Sequence, residues 1–150
     1  MPEITIETPT GPFHIAERDG VIVKCGWGAG STDETPVLRR AARQIRDYFE
    51  GALIEFDLPL VLKGSEAELK LRAALCAIPF GETRTYGELA KDLNMSPQAV
   101  GQLCGANPIP LIVPCHRVLG TGNLGGFSAP GGIETKIFLL KLEGAGGLLI

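Results

Sequence analysis

The stretch that most constrains this chain is residues 107–118, which read NPIPLIVPCHRV. Its prolines restrict the backbone on both sides of a short apolar run, residues 111–113, and this run predicts a strand. Cys115 would then be held at the end of that strand. His116 and Arg117 follow it and are the nearest sources of a base or a positive charge that could favour the thiolate. The stretch therefore indicates a reactive thiol, and a small buried hydrophobe is the alternative.

The size and composition of the chain predict one globular domain or two small lobes that share a core. It has 150 residues, of which 45% are hydrophobic, and this is enough to bury a core. It has no run of about 18 apolar residues, and its N-terminus lacks the basic and apolar segments of a signal peptide. We therefore expect a cytoplasmic protein that does not enter a membrane.

The cysteines and histidines do not have the spacing of a metal site or of a disulfide framework. No two cysteines form a CxxC pair, and the chain has 2 histidines. We expect free thiols, no metal and no cofactor, with Cys76 buried in the core.

A glycine-rich segment, residues 120–132, follows the Cys-His pair and reads GTGNLGGFSAPGG. It formally contains GxGxxG, but further glycines and a proline stand where a phosphate-binding helix would begin, which argues against a dinucleotide site. A loop that wraps a flat ligand near the thiol fits better.

The first third of the chain predicts an antiparallel sheet. Apolar and polar residues alternate over short runs, and Asp19-Gly20 is a hairpin signal between two of them. The predicted strands are residues 4–7, 13–16 and 21–24.

A helix follows the sheet. Thr35 is its predicted cap, Pro36 its first residue, and Gly51 closes it. Residues 53–62 are either a strand or an extended connection into a second lobe. We expect an α+β fold with an N-terminal lobe at 1–62 and a C-terminal, mainly helical lobe at 63–150.

The second lobe predicts two short helices joined by a tight turn. Residues 65–68 and 85–88 have the pattern of capping boxes, and Ser96 precedes a proline that begins a helix running to about Cys104. The helices that follow Thr85 and Ser96 predict a helix-turn-helix, with an ordinary helical hairpin as the alternative.

The second of these helices carries no charged side chain and is rich in small residues. A partner could approach its backbone closely, which suits the minor groove of DNA, whereas packing against the protein's own core is the alternative. The predicted DNA contacts are Ser96, Gln98, Ala99, Gly101 and Gln102, together with Thr85 and Arg117.

A final helix is predicted over residues 133–143. Ile133, Ile137 and Leu140 share one face, and Glu143 lies away from the polar ridge. A carboxylate so placed is semi-buried and needs a partner, for which His116 is the economical candidate.

Together these features resemble the O6-alkylguanine-DNA alkyltransferases, or methylated-DNA-protein-cysteine methyltransferases. The resemblance covers roughly residues 53–145 and implies an RNase H-like N-terminal lobe and a winged-helix-like C-terminal lobe. The second lobe would bind the minor groove and flip the damaged nucleotide into a pocket. The residues that carry the match are 114–118 (PCHRV), 81–86 (GETRTY), Asn107-Pro108, Gly126-Phe127-Ser128, Lys136 and Glu143.

The resemblance also implies catalytic roles. Cys115 would attack the O6-alkyl carbon and keep the alkyl group as a thioether, so that each molecule acts once. His116 would take the thiol proton through a water, and Glu143 would hold His116. Asn107 would fix the turn beside the site, and the Tyr86 hydroxyl would protonate the leaving guanine.

The same resemblance implies a guanine pocket. The carbonyls of Cys115 and Val118 would read the exocyclic amine, and the amide of Ser128 would meet O6. Phe127 would form a wall of the pocket. The other residues assigned to it are Gly126 and Lys136.

One departure from the family concerns DNA binding. Counting back from Cys115, Gln98 stands where the family usually has an arginine that fills the space of the flipped base. Glutamine brings no charge, and a net charge of −3 is the wrong sign for strong non-specific binding to DNA. We expect weaker and less salt-dependent binding through a small footprint.

Two other function classes remain. Alkyltransferase-like proteins hold alkylated DNA without repairing it, but they replace the cysteine that this chain keeps. A cysteine hydrolase would need Cys115 and His116 to aim at each other, which adjacent residues do not readily do. We expect a monomer that acts on double-stranded DNA containing O6-alkylguanine, with O4-alkylthymine and the range of alkyl groups left open.

Overall fold

The computed structural model describes residues 1–127, 129 and 131–145. The chain divides into two compact units, Met1–Val61 and Leu62–Ile150. None of the described helices is long and apolar enough to cross a membrane.

The first unit is an antiparallel sheet in the order β1-β2-β3, with one helix packed against β1 and β2. Asp19 and Gly20 join β2 to β3 with φ angles of 54° and 84°, the backbone that a tight hairpin turn requires. The predicted sheet, hairpin and helix are therefore confirmed. The elements are β1 (Glu3–Thr8), β2 (Gly11–Arg18), β3 (Val21–Trp27) and α1 (Pro36–Phe49).

Sequence-local signals explain where α1 begins and which face it buries. The hydroxyl of Thr35 accepts a hydrogen bond from the amide of Leu38, and Pro36 occupies the first turn, where its missing N–H is harmless. The apolar face of α1 and the inner face of the sheet form one core. Its fully buried members include Ile6, Phe13, Ile15, Leu38, Ala41 and Ile45.

Residues 53–62 form an extended connection rather than a regular strand. Leu60 makes an isolated bridge with Ile22, and the amide of Ile22 donates to the carbonyl of Pro59. The second of the two predicted alternatives for this segment is therefore confirmed.

Among its described residues, the second unit is mainly helical and holds one short parallel strand pair, Arg84–Thr85 with Val118–Leu119. That pairing joins the start of α3 to the end of the thiol-bearing stretch. The elements are α2 (Glu66–Cys76), β4 (Arg84–Thr85), α3 (Tyr86–Leu93), α4 (Pro97–Gly105), a 3₁₀ helix (Cys115–Arg117), β5 (Val118–Leu119) and α5 (Ile133–Leu142).

The starts of α2, α3 and α4 match the predicted caps. Ser65 with Glu68 and Thr85 with Glu88 form reciprocal capping boxes, which satisfy two otherwise unpaired helix amides each. Between α3 and α4, Asn94 takes a left-handed conformation with φ 55°, which ends α3 sharply. The two helices and tight turn of a helix-turn-helix are thus present.

The predicted strand at 111–113 is wrong. Leu111 has φ 74°, and the amide of Val113 donates to the carbonyl of Ile109, so the segment is a turn. The side chain of Asn107 brackets this turn, accepting from the amide of Ile109 at 3.0 Å and donating to the carbonyl of Val113 at 2.9 Å. The prolines restrict the backbone as expected, but the asparagine supplies the hydrogen bonds that a neighbouring strand would otherwise provide.

Two predictions about helix faces are also wrong. Cys76 is exposed because α2 buries the face of Leu71 and Leu75, about 100° away around the helix. Ile133 is exposed and Ile137 is half-buried, so Leu140 is the one buried member of the predicted face. The buried residues of α5 are Thr135, Lys136, Leu139 and Leu140.

Candidate active site

Cys115 lies at the start of the 3₁₀ helix, directly after Pro114, and is buried. Burial raises the pKa of its thiol, while a hydrogen bond from the Asn107 side chain and the nearby charge of Lys136 act in the opposite direction. The resting thiol is therefore protonated at neutral pH, and a nucleophilic role requires a base that removes the proton.

His116 and Glu143 form a fully buried pair. Nε2 of His116 lies 2.7 Å from Oε2 of Glu143. Burial lowers the pKa of His116, and this outweighs the opposing effect of Glu143. The imidazole is therefore neutral at pH 7 and donates its Nε2 proton to the carboxylate, which leaves a lone pair on Nδ1. That Nδ1 atom is buried and has no hydrogen-bond partner among the described residues.

Arg117 is also buried, and its guanidinium is directed into the protein. Nε and Nη2 donate to the two oxygens of Glu143 at 2.8 and 3.1 Å, and Nη1 donates to the carbonyl of Ile78 at 2.6 Å. The guanidinium also lies over the ring of Phe80. The prediction that Arg117 contacts DNA is wrong, because its donors are committed inside the unit.

Lys136 ties the glycine-rich segment to β5. Its Nζ atom donates to the carbonyl of Val118 at 2.6 Å and to the carbonyl of Gly126 at 3.2 Å. Desolvation lowers the pKa of Lys136 to about 8, against the opposing effect of Cys115 and Cys104. The lysine was predicted to belong to the pocket, and it contacts two of the predicted pocket residues.

Tyr86 faces the same region from the first turn of α3. Its ring centroid is 5.7 Å from Nζ of Lys136, and a Cβ atom on Gly125 would lie 2.8 Å from its Cε2 atom. Glycine at 125 therefore lets the loop close over the tyrosine ring. Burial raises the pKa of Tyr86, and the thiols of Cys104 and Cys115 contribute in the same direction, so the hydroxyl keeps its proton at neutral pH.

The remaining predicted pocket residues are partly described. Gly126 is exposed and Phe127 is half-buried, while Ser128 lies outside the described residues.

Cys104 was not assigned to the site, yet it lies near Lys136, Tyr86 and Cys115 and is buried. Burial raises its pKa to about 12, so it is a poor nucleophile. Its position eleven residues before Cys115 left its reactivity open in the sequence.

The predicted DNA contacts other than Arg117 lie on α4 or at helix starts. Ser96, Gln98 and Gln102 are exposed, while Ala99 and Gly101 are half-exposed. A Cβ atom on Gly101 would meet nothing within 4 Å, so this part of α4 is open to a partner. Thr85 is half-buried, and its hydroxyl caps α3.

The described residues include no cluster of three or more His, Cys, Asp or Glu side chains suited to a metal ion. The chemistry that this arrangement supports is nucleophilic: a protonated thiol, a neutral imidazole with a free lone pair, and a protonated phenol at one site.

Two family models match the chain. The model described as the ribonuclease-like domain of 6-O-methylguanine DNA methyltransferase matches residues 1–62, and the model of its DNA binding domain matches residues 66–145.

The chain is also similar to individual relatives. It is 48% identical over 151 residues to a methylated-DNA–protein-cysteine methyltransferase of Methanosarcina acetivorans, covering 93% of this chain and 96% of the relative. The relative of the same name in Mycolicibacterium paratuberculosis is 39% identical over 154 residues, covering 93% and 90%. The crystal structure of Mycobacterium tuberculosis OGT in complex with DNA superposes with a TM-score of 0.86 at 38% identity, covering 95% of this chain and 92% of that chain.

Proposed function

The chain belongs to the 6-O-methylguanine DNA methyltransferases, and from this premise we propose that Cys115 is the residue that accepts the alkyl group. The family resemblance, the α+β fold and the methyltransferase activity expected from the sequence are confirmed by these matches. The protein repairs double-stranded DNA by transferring the alkyl group of O6-alkylguanine to its own cysteine.

The observation that carries the assignment is the buried thiol in a site with a His116–Glu143 pair whose Nδ1 has no partner among the described residues. Nδ1 accepts the thiol proton through a water, and Sγ of Cys115 attacks the alkyl carbon. The C–O6 bond breaks as the S–C bond forms. Tyr86 donates its proton to the departing guanine and is reprotonated from solvent, while the thiol proton taken up by His116 is released to solvent. The protein is left with an uncharged thioether that no group in the site removes, so each molecule turns over once.

The burial of Cys115 supports base flipping. A duplex hides the O6 substituent inside the base stack, and a thiol that is 7% exposed cannot enter that stack. The damaged nucleotide therefore leaves the helix, and α4 lies in the minor groove with Ser96, Gln98, Ala99, Gly101 and Gln102 at the interface. Thr85 contacts DNA at the start of α3.

The flipped base occupies a pocket formed by β5 and the glycine-rich segment. The carbonyls of Cys115 and Val118 accept from its exocyclic amine, and the Ser128 amide donates to O6. Phe127 and Gly126 line the pocket. Lys136 keeps β5 and the segment together, and Asn107 holds the turn that presents the thiol.

We further propose the boundary between the two lobes, a cytoplasmic location and a monomeric state. Residues 1–62 are the RNase H-like lobe, and residues 63–150 carry DNA binding and alkyl transfer. No disulfide joins Cys25, Cys76, Cys104 or Cys115, which suits the reducing cytoplasm. One lesion needs one thiol, so the protein acts as a monomer.

The repair itself is tested on the DNA. A duplex with a single O6-methylguanine inside a restriction site resists cleavage until the methyl group is removed. We expect restored cleavage to rise with the amount of protein and to stop at one duplex per molecule. Protection that persists despite binding of the duplex would instead identify a lesion-binding protein.

A further inference from the structure

Arg117 follows the nucleophile closely in the sequence, and its side chain is hydrogen-bonded to several parts of the site. Its guanidinium joins three elements: its own 3₁₀ helix, Glu143 at the end of α5, and the carbonyl of Ile78 just after α2. Two parallel hydrogen bonds to one carboxylate fix the plane and position of that carboxylate.

The position of Glu143 in turn sets the position of His116. Oε2 of Glu143 accepts from Nε2 of His116 at 2.7 Å and from Nη2 of Arg117 at 3.1 Å. Oε1 accepts from Nε of Arg117 at 2.8 Å. The imidazole therefore hydrogen-bonds an acceptor whose orientation Arg117 determines.

Arg117 also sets the charge of this buried group. The charged side chains that act on His116 are Glu143, Arg117 and Lys136. With Arg117 present, the negative charge of Glu143 has a positive partner. Without it, a buried carboxylate faces an imidazole, and the pair is driven to bind a proton because an uncompensated buried charge is costly. A proton on Nδ1 would remove the lone pair that the reaction uses.

We propose that Arg117 is a positioning residue for alkyl transfer: it orients and neutralises Glu143, so that His116 stays uncharged with its Nδ1 lone pair available for the Cys115 proton. This inference rests on the proposed role of His116 as the base. Arg117 would then act in the reaction rather than in DNA binding.

The first test is the pH profile of single-turnover methyl transfer, measured with saturating duplex for the wild type, Arg117→Met and Arg117→Lys. Arg117→Met should move the acid inflection of the rate to higher pH by about one unit, while the rate recovers at alkaline pH. Arg117→Lys keeps the charge and should keep the inflection near that of the wild type, with a lower plateau because lysine cannot bind both oxygens. A rate reduced by one factor at every pH would overturn the proposal.

The double variant Arg117→Met/Glu143→Gln removes both charges. If Arg117 acts through the charge of Glu143, the acid inflection of the double variant should occur at a lower pH than that of Arg117→Met. An inflection that stays at the position of Arg117→Met would contradict this mechanism.

Nitrogen-15 NMR of the histidine ring tests the proposal without a variant and without DNA. In the wild type, His116 should be neutral at pH 7 with the proton on Nε2 and none on Nδ1. A doubly protonated ring at pH 7 would overturn the proposal even if methyl transfer is normal. Because this readout needs no transfer, it separates a failure of the Arg117 proposal from a failure of the proposed function.

Discussion

Nε2 of His116 lies 2.7 Å from Oε2 of Glu143, and the side chains of both residues are completely buried. A pair enclosed in this way is held by its hydrogen bonds and by the compensating charge of Arg117 rather than by solvent. Changes to any of the three should therefore affect folding as well as transfer.

Glu143→Gln should destabilise the protein. The substitution leaves the guanidinium of Arg117 buried without its carboxylate, which costs about 3 kcal/mol in the free energy of unfolding. Urea unfolding followed by circular dichroism measures this loss. Glu134→Gln, at an exposed position in the first turn of α5, is the matched control and should change the free energy by less than about 0.5 kcal/mol. Equal effects of the two variants would contradict the buried network.

The lowered pKa of Lys136 should make the free energy of unfolding rise at alkaline pH. Its pKa is about 8 in the folded protein against the ordinary lysine value of 10.5, so between these values the unfolded chain binds more protons than the folded one. Stability contributed by this group therefore rises as the pH increases from 8 to 10.5 and falls as the pH decreases through that window.

The rise should amount to about 3 kcal/mol over the whole window and should be lost in Lys136→Met. Urea unfolding at several pH values across the window measures it. Lys141→Met, at an exposed position on the same helix, should keep the rise. Parallel profiles for the wild type and Lys136→Met would show that the lysine does not titrate as described.

Asn107→Asp removes the hydrogen bonds that the Asn107 side chain donates and keeps the one that it accepts. The variant keeps an acceptor for the amide of Ile109 but loses the donor to the carbonyl of Val113 and the donor to Cys115. The hydrogen bond from Asn107 to Cys115 favours the thiolate. Its loss and the added negative charge should therefore both raise the pKa of Cys115. The rate of alkylation by iodoacetamide, measured against pH, should show its inflection at higher pH than in the wild type. An unchanged inflection would mean that Asn107 does not act on the thiol.

Gln98→Arg tests the α4 interface. An added contact between arginine and phosphate should raise the affinity for duplex DNA and steepen the dependence of log K on log salt by about one. Fluorescence anisotropy over a range of salt concentrations measures both. Glu50→Gln changes the net charge by the same amount at an exposed position just after α1 and should leave the slope unchanged. If both variants steepen the slope equally, Gln98 is not at the interface.

Local sequence rules predicted the parts of the fold that depend on local hydrogen bonds. The hairpin at Asp19-Gly20 and the caps at Ser65, Thr85 and Ser96 follow from side-chain and backbone geometry within a few residues. The pairing of His116 with Glu143 was also predictable, because a carboxylate on a buried helix face needs a partner.

Two of the wrong predictions depend on side-chain hydrogen bonds that hydrophobic patterning does not show. Leu111 adopts a positive φ because the side chain of Asn107 replaces strand hydrogen bonds. Arg117 is buried because its acceptors, Glu143 just after α5 and the carbonyl of Ile78 just after α2, come from distant parts of the chain. Periodicity gives no signal that Lys136 is buried, because its burial depends on two carbonyls outside α5.

Peptide mass spectrometry, after the protein is mixed with a duplex containing O6-methylguanine, identifies the residue that accepts the methyl group. We expect one methyl group per protein, on the peptide that contains Cys115, and no methylation of the Cys115→Ala variant. Methylation of Cys104 instead, or an unmodified protein that still binds the duplex, would contradict the assignment of Cys115 as the acceptor.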